Sequence, residues 1–215
     1  MSDPARPTGA LPVAGGWCWF DRVEVIARGS RSEVVGLGDL TEGDRQRLSM
    51  PRPGFGGLSM DCPRIMGILN ITPDSFSDGG LFLRPEAALM QARRMADGAD
   101  ILDIGGESTR PGAAEVSADE ETARTAPVIA ALRDGGLALP ISIDTRKAAV
   151  ATAAFGAGAT ILNDVTALRF DPAMAGVAAK AGVPVILMHS IETPATMQDD
   201  PRYDDVLLDV YDALA

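Results

Sequence analysis

The sequence predicts an α/β protein of the (β/α)8 TIM-barrel type, and three observations carry that prediction. From Pro63 onward, short apolar runs alternate with segments of helical spacing. The runs are apolar throughout rather than at every second residue, as strands of a parallel sheet covered by helices are. A polar residue stands at or just past the C-terminal end of each run: Asn70, Glu107, Asp144, Asn163 and His189. Parallel barrels gather their chemistry at that end of the strands. A doubly wound sheet would carry a G-x-G-x-x-G turn after its first strand. Here that turn is NITPDSFSDGG.

Residues 1–62 are rich in Gly and Pro and hold two β-like stretches, WCWFDRVEVIA and SEVVGLGDL. Arg28-Gly29-Ser30-Arg31 separates them, so this part reads as an N-terminal β-hairpin-like extension. Trp17, Trp19 and Phe20 are expected there as packing residues. The barrel domain is assigned to residues 63–215.

Its first strand is IMGIL. Pro85 then opens a helix, with Glu86 in the first turn. Ala88, Ala92, Met95 and Ala99 mark one face of that helix, and Gly98 lies near its end. The second strand is ILDIGG, followed by the loop ESTRPGAAEV. Ser117, with Glu120 three positions on, reads as a capping box for the next helix. PISID is the third strand, with an Ala-rich helix around Arg146 to Ala157. TILNDV is the fourth; Asp171-Pro172 opens its helix and Gly182 closes it. VPVILMHS is the fifth, and a last amphipathic segment runs near Tyr203 to Leu214. A closed barrel needs eight such units, in roughly 250 residues. About five are legible, so the expectation is a barrel truncated after about five βα units.

Composition narrows the function classes. The 215 residues are 46% hydrophobic, enough for a globular core. The formal charge is −11 and no Lys/Arg cluster stands out, which argues against a nucleic-acid footprint. Cys18 and Cys62 lie far apart with no CxxC spacing, against a disulfide framework or a zinc site. The N-terminal MSDPARPTGALP has no apolar core of a signal peptide, and the longest uncharged run, Ala148 to Asn163, is short of the roughly 18 apolar residues of a span. The expectation is a cytoplasmic protein without membrane or nucleic-acid partners.

Five segments carry more specific information: MGILNITPDSFSDGG, GADILDIGGESTRPGA, ISIDTRK, ILNDV and MHSIETPATMQ, in that order. Together they resemble the dihydropteroate synthase family, from Arg64 to Gln198. The resemblance implies condensation of 6-hydroxymethyl-7,8-dihydropterin diphosphate with p-aminobenzoate, giving dihydropteroate and diphosphate in folate biosynthesis. It implies Asp144 and Asn163 as pterin-binding residues, and Asn70, Thr109 and Arg110 at the diphosphate. It further implies Asn70 as a Mg²⁺ ligand, and Phe76 and Pro111 in the p-aminobenzoate pocket, where sulfonamides also bind. No acid or base catalyst is assigned. The loop after the first strand is expected to close over the site, with Gly79 and Gly80 as hinges. A homodimer is implied for a full-length member.

The residues themselves allow a partial check. A carboxylate such as Asp144 offers two parallel acceptors, matching the ring N–H and exocyclic amine of a pterin edge. The alternative is a salt bridge to Arg146 or Lys147. Asn70 read alone is a turn former, Glu107 either a backbone brace or a ligand contact, and Asp164 a brace for its loop. His189 is read as a loop or strand-end hydrogen-bonding residue. The family also implies a further acidic pterin residue, a Lys and a late Arg-x-His pair, which this sequence does not show. Two other readings therefore stand beside the enzyme: a non-catalytic pterin-binding module, and a pterin-dependent methyltransferase barrel. SFSDGG and STRPGA speak against the methyltransferase.

Overall fold

The structure is a computed structural model that describes residues 6–72, 85–108, 115–190 and 202–215, with only the backbone of 85–87. The chain forms two compact units, Met1–Pro63 and Arg64–Ala215.

In the first unit, β1 (Leu11–Pro12) pairs antiparallel with β2 (Trp19–Phe20). The hairpin of β3 (Arg22–Val25) and β4 (Glu33–Gly36) follows, in the register Val23↔Val35. Trp17 departs from its expected packing role, being 78% exposed, whereas Trp19 and Phe20 are half-buried. Helix α1 (Glu42–Ser49) was not foreseen. It carries no apolar stripe, so periodicity cannot detect it. Its start is set by Thr41, whose hydroxyl accepts the Asp44 N–H at 3.1 Å.

The second unit alternates strand and helix. Its elements are β5 (Met66–Asn70), α2 (Pro85–Ala96), β6 (Ile101–Gly105), α3 (Ala118–Asp134), β7 (Ile141–Asp144), α4 (Ala148–Ala157), β8 (Ile161–Asp164), α5 (Met174–Ala181), β9 (Val185–Leu187) and α6 (Val206–Leu214). The five strands are parallel and lie in sequence order, β5-β6-β7-β8-β9. A doubly wound sheet reverses its order at a switch point. This one does not, so its right-handed crossovers all fall on one face. That is barrel winding.

Strand register sorts the side chains. Leu69, Ile104, Ile143 and Leu162 share one row and are all buried against the helices. The next row along, Asn70, Gly105, Asp144, Asn163 and Ile186, faces the other way, because alternate strand residues point to opposite sides. An apolar helix-side face and a polar opposite face thus come from the same strands.

The helix boundaries follow local chemistry. Ser117 accepts the Glu120 N–H at 3.2 Å to cap α3, while the Glu120 carboxylate accepts from Arg124. Pro127 sits inside α3 and removes one backbone donor. The helix continues through it because Val128, Ile129 and Leu132 are buried in the core. Asp171 opens the segment before α5, its Oδ1 accepting the Ala173 N–H at 2.9 Å. Its Oδ2 also accepts the Ala148 N–H at 2.9 Å, capping α4 from a distance. Among the described residues no helix is long and apolar enough to cross a membrane.

Candidate functional site

Gly105 is the centre of the polar row. A Cβ at that position would lie 3.0 Å from Asn70 Oδ1 and 3.5 Å from Asp144 Oδ2. Side chains from strands on either side of β6 therefore converge over a residue that has none. A second convergence occurs one row down, where Asn163 Nδ2 reaches across β7 to donate to Asp103 Oδ2 at 3.1 Å. Such reach across an intervening strand marks the concave side of a curved sheet. The strand tips of β5, β6, β7 and β8 thus bring Asn70, Asp103, Asp144 and Asn163 to one face.

Gly106 does a different job. A Cβ there would meet Thr125 Cγ2 at 2.8 Å and Glu121 Cγ at 3.0 Å. Its absence lets α3 approach the strand end and delivers Glu121, fully buried, beneath the rim.

The cations next to Asp144 in sequence do not serve it. Arg146 forks onto Glu107, Nε to Oε2 at 3.2 Å and Nη2 to Oε1 at 3.3 Å, with its guanidinium 4.0 Å from the Phe170 ring centroid. Lys147 Nζ donates to Glu107 Oε2 at 2.9 Å and to Glu121 Oε2 at 2.6 Å. Glu107 Oε1 also accepts the Val116 N–H at 2.8 Å. Burial alone would raise the Glu107 carboxyl, but Arg146, the Val116 N–H and Lys147 outweigh it and hold it below the ordinary range. Glu107 is a brace, with its acceptors used.

Asp144 is left in the opposite condition. Among the described residues its Oδ1 is buried without a hydrogen-bond partner, as are Asp103 Oδ1 and Ser142 Oγ. Burial pushes the Asp144 carboxyl up to about 7, and the like charges of Asp103, Glu121, Asp164 and Glu107 push the same way. Asp103 is also raised by burial, with the Ser142 hydroxyl and the Asn163 amide pulling partly back. Ser142 is the register partner of Asp103, and its Oγ has no hydrogen-bond partner among the described residues. Two desolvated carboxyl groups with spare acceptors and no paired cation among the described residues invite a donor-rich ligand.

Asp164 braces its loop as expected, accepting from Thr166 N–H and hydroxyl at 2.7 Å and from Leu168 N–H at 3.0 Å. Those bonds hold Ala167 and Leu168 at positive φ, 52° and 62°. The expected hydrogen-bonding role of His189 is unmet among the described residues: both ring nitrogens are buried without a partner. Its ring lies 5.8 Å from that of Tyr203. Thr109, Arg110, Pro111, Phe76, Gly79 and Gly80 lie outside the described residues. Asp103 was missed by the sequence reading. The signal was present as a carboxylate inside the otherwise apolar ILDIGG, where a buried acid is costly unless used.

Among the described residues no group of three or more His, Cys, Asp or Glu side chains could hold a metal ion. The rim offers a cation one neutral amide oxygen, Asn70 Oδ1, with Asp144 Oδ2 close by over Gly105. Such a set fits a hard ion that brings its other ligands with it, as water and phosphate oxygens.

The sequence model for pterin binding enzymes matches residues 66–215, and the chain belongs to that family. Two relatives with high identity are dihydropteroate synthases. That of Bacillus subtilis is 51% identical over 147 residues, covering 68% of this chain and 49% of the relative. That of Escherichia coli is 48% identical over 157 residues, covering 72% and 55%. The solved Yersinia pestis dihydropteroate synthase, in complex with a sulfonamide drug, superposes with a TM-score of 0.66 at 50% identity, covering 73% of this chain and 57% of that one. The Xanthomonas albilineans enzyme with 4-aminobenzoic acid gives 0.65 at 51% identity, covering 73% and 55%. The chain spans about half the length of these relatives.

Proposed function

We propose that the chain binds a dihydropterin diphosphate on the concave strand-tip face and takes part in dihydropteroate synthesis. One observation carries the reading: Asp144 and Asp103 present spare, desolvated carboxylate acceptors beside the Asn163 amide, in a member of a pterin-binding family. A pterin edge offers a ring N–H next to an exocyclic amine, which a carboxylate can accept as a parallel pair. The Asn163 amide can both donate to and accept from the ring. Asp103, which orients that amide, joins Asp144 and Asn163 in holding the pterin.

Asn70, Thr109 and Arg110 are assigned to the diphosphate, the guanidinium forking onto phosphate oxygens. Mg²⁺, arriving with the diphosphate, would be held partly by Asn70 Oδ1 and would neutralise charge on the leaving group. The C–O bond to the pterin methylene carbon breaks and its electron pair leaves with the diphosphate. The amine lone pair of p-aminobenzoate then forms the C–N bond, and the nitrogen gives up a proton to water. The electron-rich pterin stabilises positive charge at that carbon, so the protein's work is orientation and anion stabilisation. Phe76 and Pro111 are assigned to the aromatic amine, an aromatic ring and a proline ring being able to sandwich a benzene ring.

The test is diphosphate release by the purified chain with both substrates and Mg²⁺, alongside calorimetry with the pterin substrate alone. Pterin affinity is the expected result. Turnover would extend the reading to the whole reaction, affinity without turnover would leave a binding module, and absence of both would refute the reading. Arg110→Ala is expected to weaken the diphosphate ligand more than the pterin alcohol.

A further inference from the structure

The two cysteines of the chain stand far apart in sequence, yet Cys18 and Cys62 line the same cavity. That cavity, of about 260 Å³, lies wholly within the first unit, Met1–Pro63. The family model begins at residue 66, so the pterin-binding match does not include it. Both thiols are free and exposed. A third sulfur joins them, because Met60 lines the same cavity and is 42% exposed. Local bonds fix the two walls. On one side the Val13 N–H donates to Cys18 O at 2.8 Å and the Gly16 N–H to Val13 O at 2.9 Å, which closes the turn that carries Cys18. On the other, the Ser59 hydroxyl donates to Asp61 Oδ1 at 2.6 Å and braces the segment that carries Met60 and Cys62. Trp17, next to Cys18, also lines the cavity while most of its ring stays exposed. An indole face beside sulfur donors is one more electron-rich group for a cation.

We propose that Cys18, Met60 and Cys62 form a binding site for a soft monovalent cation of the copper(I) and silver(I) class. Two thiolates and a thioether are the donors such ions select, whereas magnesium and calcium take oxygen. Zinc calls for four ligands of the Cys, His or carboxylate type, and among the described residues no three of those form a group. Binding exchanges the proton on each cysteine sulfur for a metal–sulfur bond, so two protons leave for each ion bound. The Met60 sulfur donates a lone pair and loses nothing. The metal keeps its oxidation state throughout, and no oxidant or reductant takes part. The site is independent of the proposed pterin function.

The experiment titrates the reduced full chain with silver(I) nitrate under argon in chloride-free buffer. Calorimetry gives stoichiometry and affinity, tryptophan fluorescence reports Trp17, and a thiol reagent counts the cysteines left reactive. The expected result is one ion per chain, bound with quenching and with both thiols shielded together. Cys18→Ser and Cys62→Ser should each weaken binding about a hundredfold, and Met60→Leu about tenfold at the same stoichiometry. Trp17→Phe should lose most of the quenching and keep the ion. Two ions per chain would mean two independent thiols and would overturn the proposal. So would a thiol still reactive at one equivalent, unchanged affinity in Met60→Leu, or a doubling of mass in light scattering, which would mark bridging between chains. Stoichiometry and shielding are read on the unsubstituted chain, so a variant that fails to fold leaves the proposal decidable.

Discussion

Asp144→Asn separates what the fold gives up from what the ligand gains. The Asp144 carboxyl lies at about 7 in the folded chain against an ordinary 3.8. Each tenfold change in proton affinity is worth about 1.4 kcal/mol, so the ionised carboxylate costs the free protein about 4 kcal/mol at alkaline pH. The sign follows from proton counts. Between about pH 4 and about pH 7 the folded chain holds a proton that the unfolded chain has released, so stability falls as pH rises and levels off above that window. An asparagine carries no such charge, although its amide keeps a desolvation cost of about 1 kcal/mol. Urea unfolding should therefore find Asp144→Asn more stable than the parent by about 2–3 kcal/mol at pH 8, with the gap closing toward about pH 5. Asp103, raised in the same direction, leaves a shallower slope in both proteins. Pterin affinity should collapse in the same variant. An Asn variant no more stable than the parent at pH 8, or a difference independent of pH, would refute the electrostatic account.

Other outcomes follow from the same geometry. Pterin affinity of the parent should fall about fivefold from pH 7 to pH 6 as Asp144 takes up its proton, read by calorimetry. Gly105→Ala places a methyl 3.0 Å from Asn70 Oδ1, and should abolish pterin binding at a stability cost of about 1 kcal/mol or less. Gly106→Ala should do the reverse: its methyl would press on Thr125 and Glu121, costing about 1–3 kcal/mol in denaturant unfolding. Asp171→Ala removes the acceptor for the Ala148 and Ala173 N–H groups and should cost about 1–2 kcal/mol. Those two N–H groups hold the Asp171 carboxyl below its ordinary range, so its contribution is present above about pH 4 and lost as pH falls through the folded value.

Much of the architecture was legible because its signals are local. Strands buried by helices read as short, mostly apolar runs, and ILDIGG and PISID are such runs despite Asp103 and Ser142 within them. Ser117 and Gly182 mark helix ends because capping involves only neighbouring backbone. Helix α1 escaped for the converse reason, its start signal being a single Thr41 without an apolar face behind it. Asp171 was read as opening one helix, and its second bond, to Ala148, spans 23 residues of sequence.

By itself the sequence determined the parallel βα order, the polar strand tips and the motifs that the family shares, since each depends on residues adjacent in the chain. Only the tertiary structure decided who pairs with whom. Arg146 and Lys147 stand beside Asp144 in sequence, yet their charges go to Glu107 and Glu121, because α3 packs close over Gly106 and brings a fully buried acid to the lysine. Among the described residues Asp144 and Asp103 are left without a cation for that reason, and the curvature that sets Asn163 against Asp103 comes from pairing five strands side by side. Coulomb attraction follows distance in space, and distance in space is set by packing.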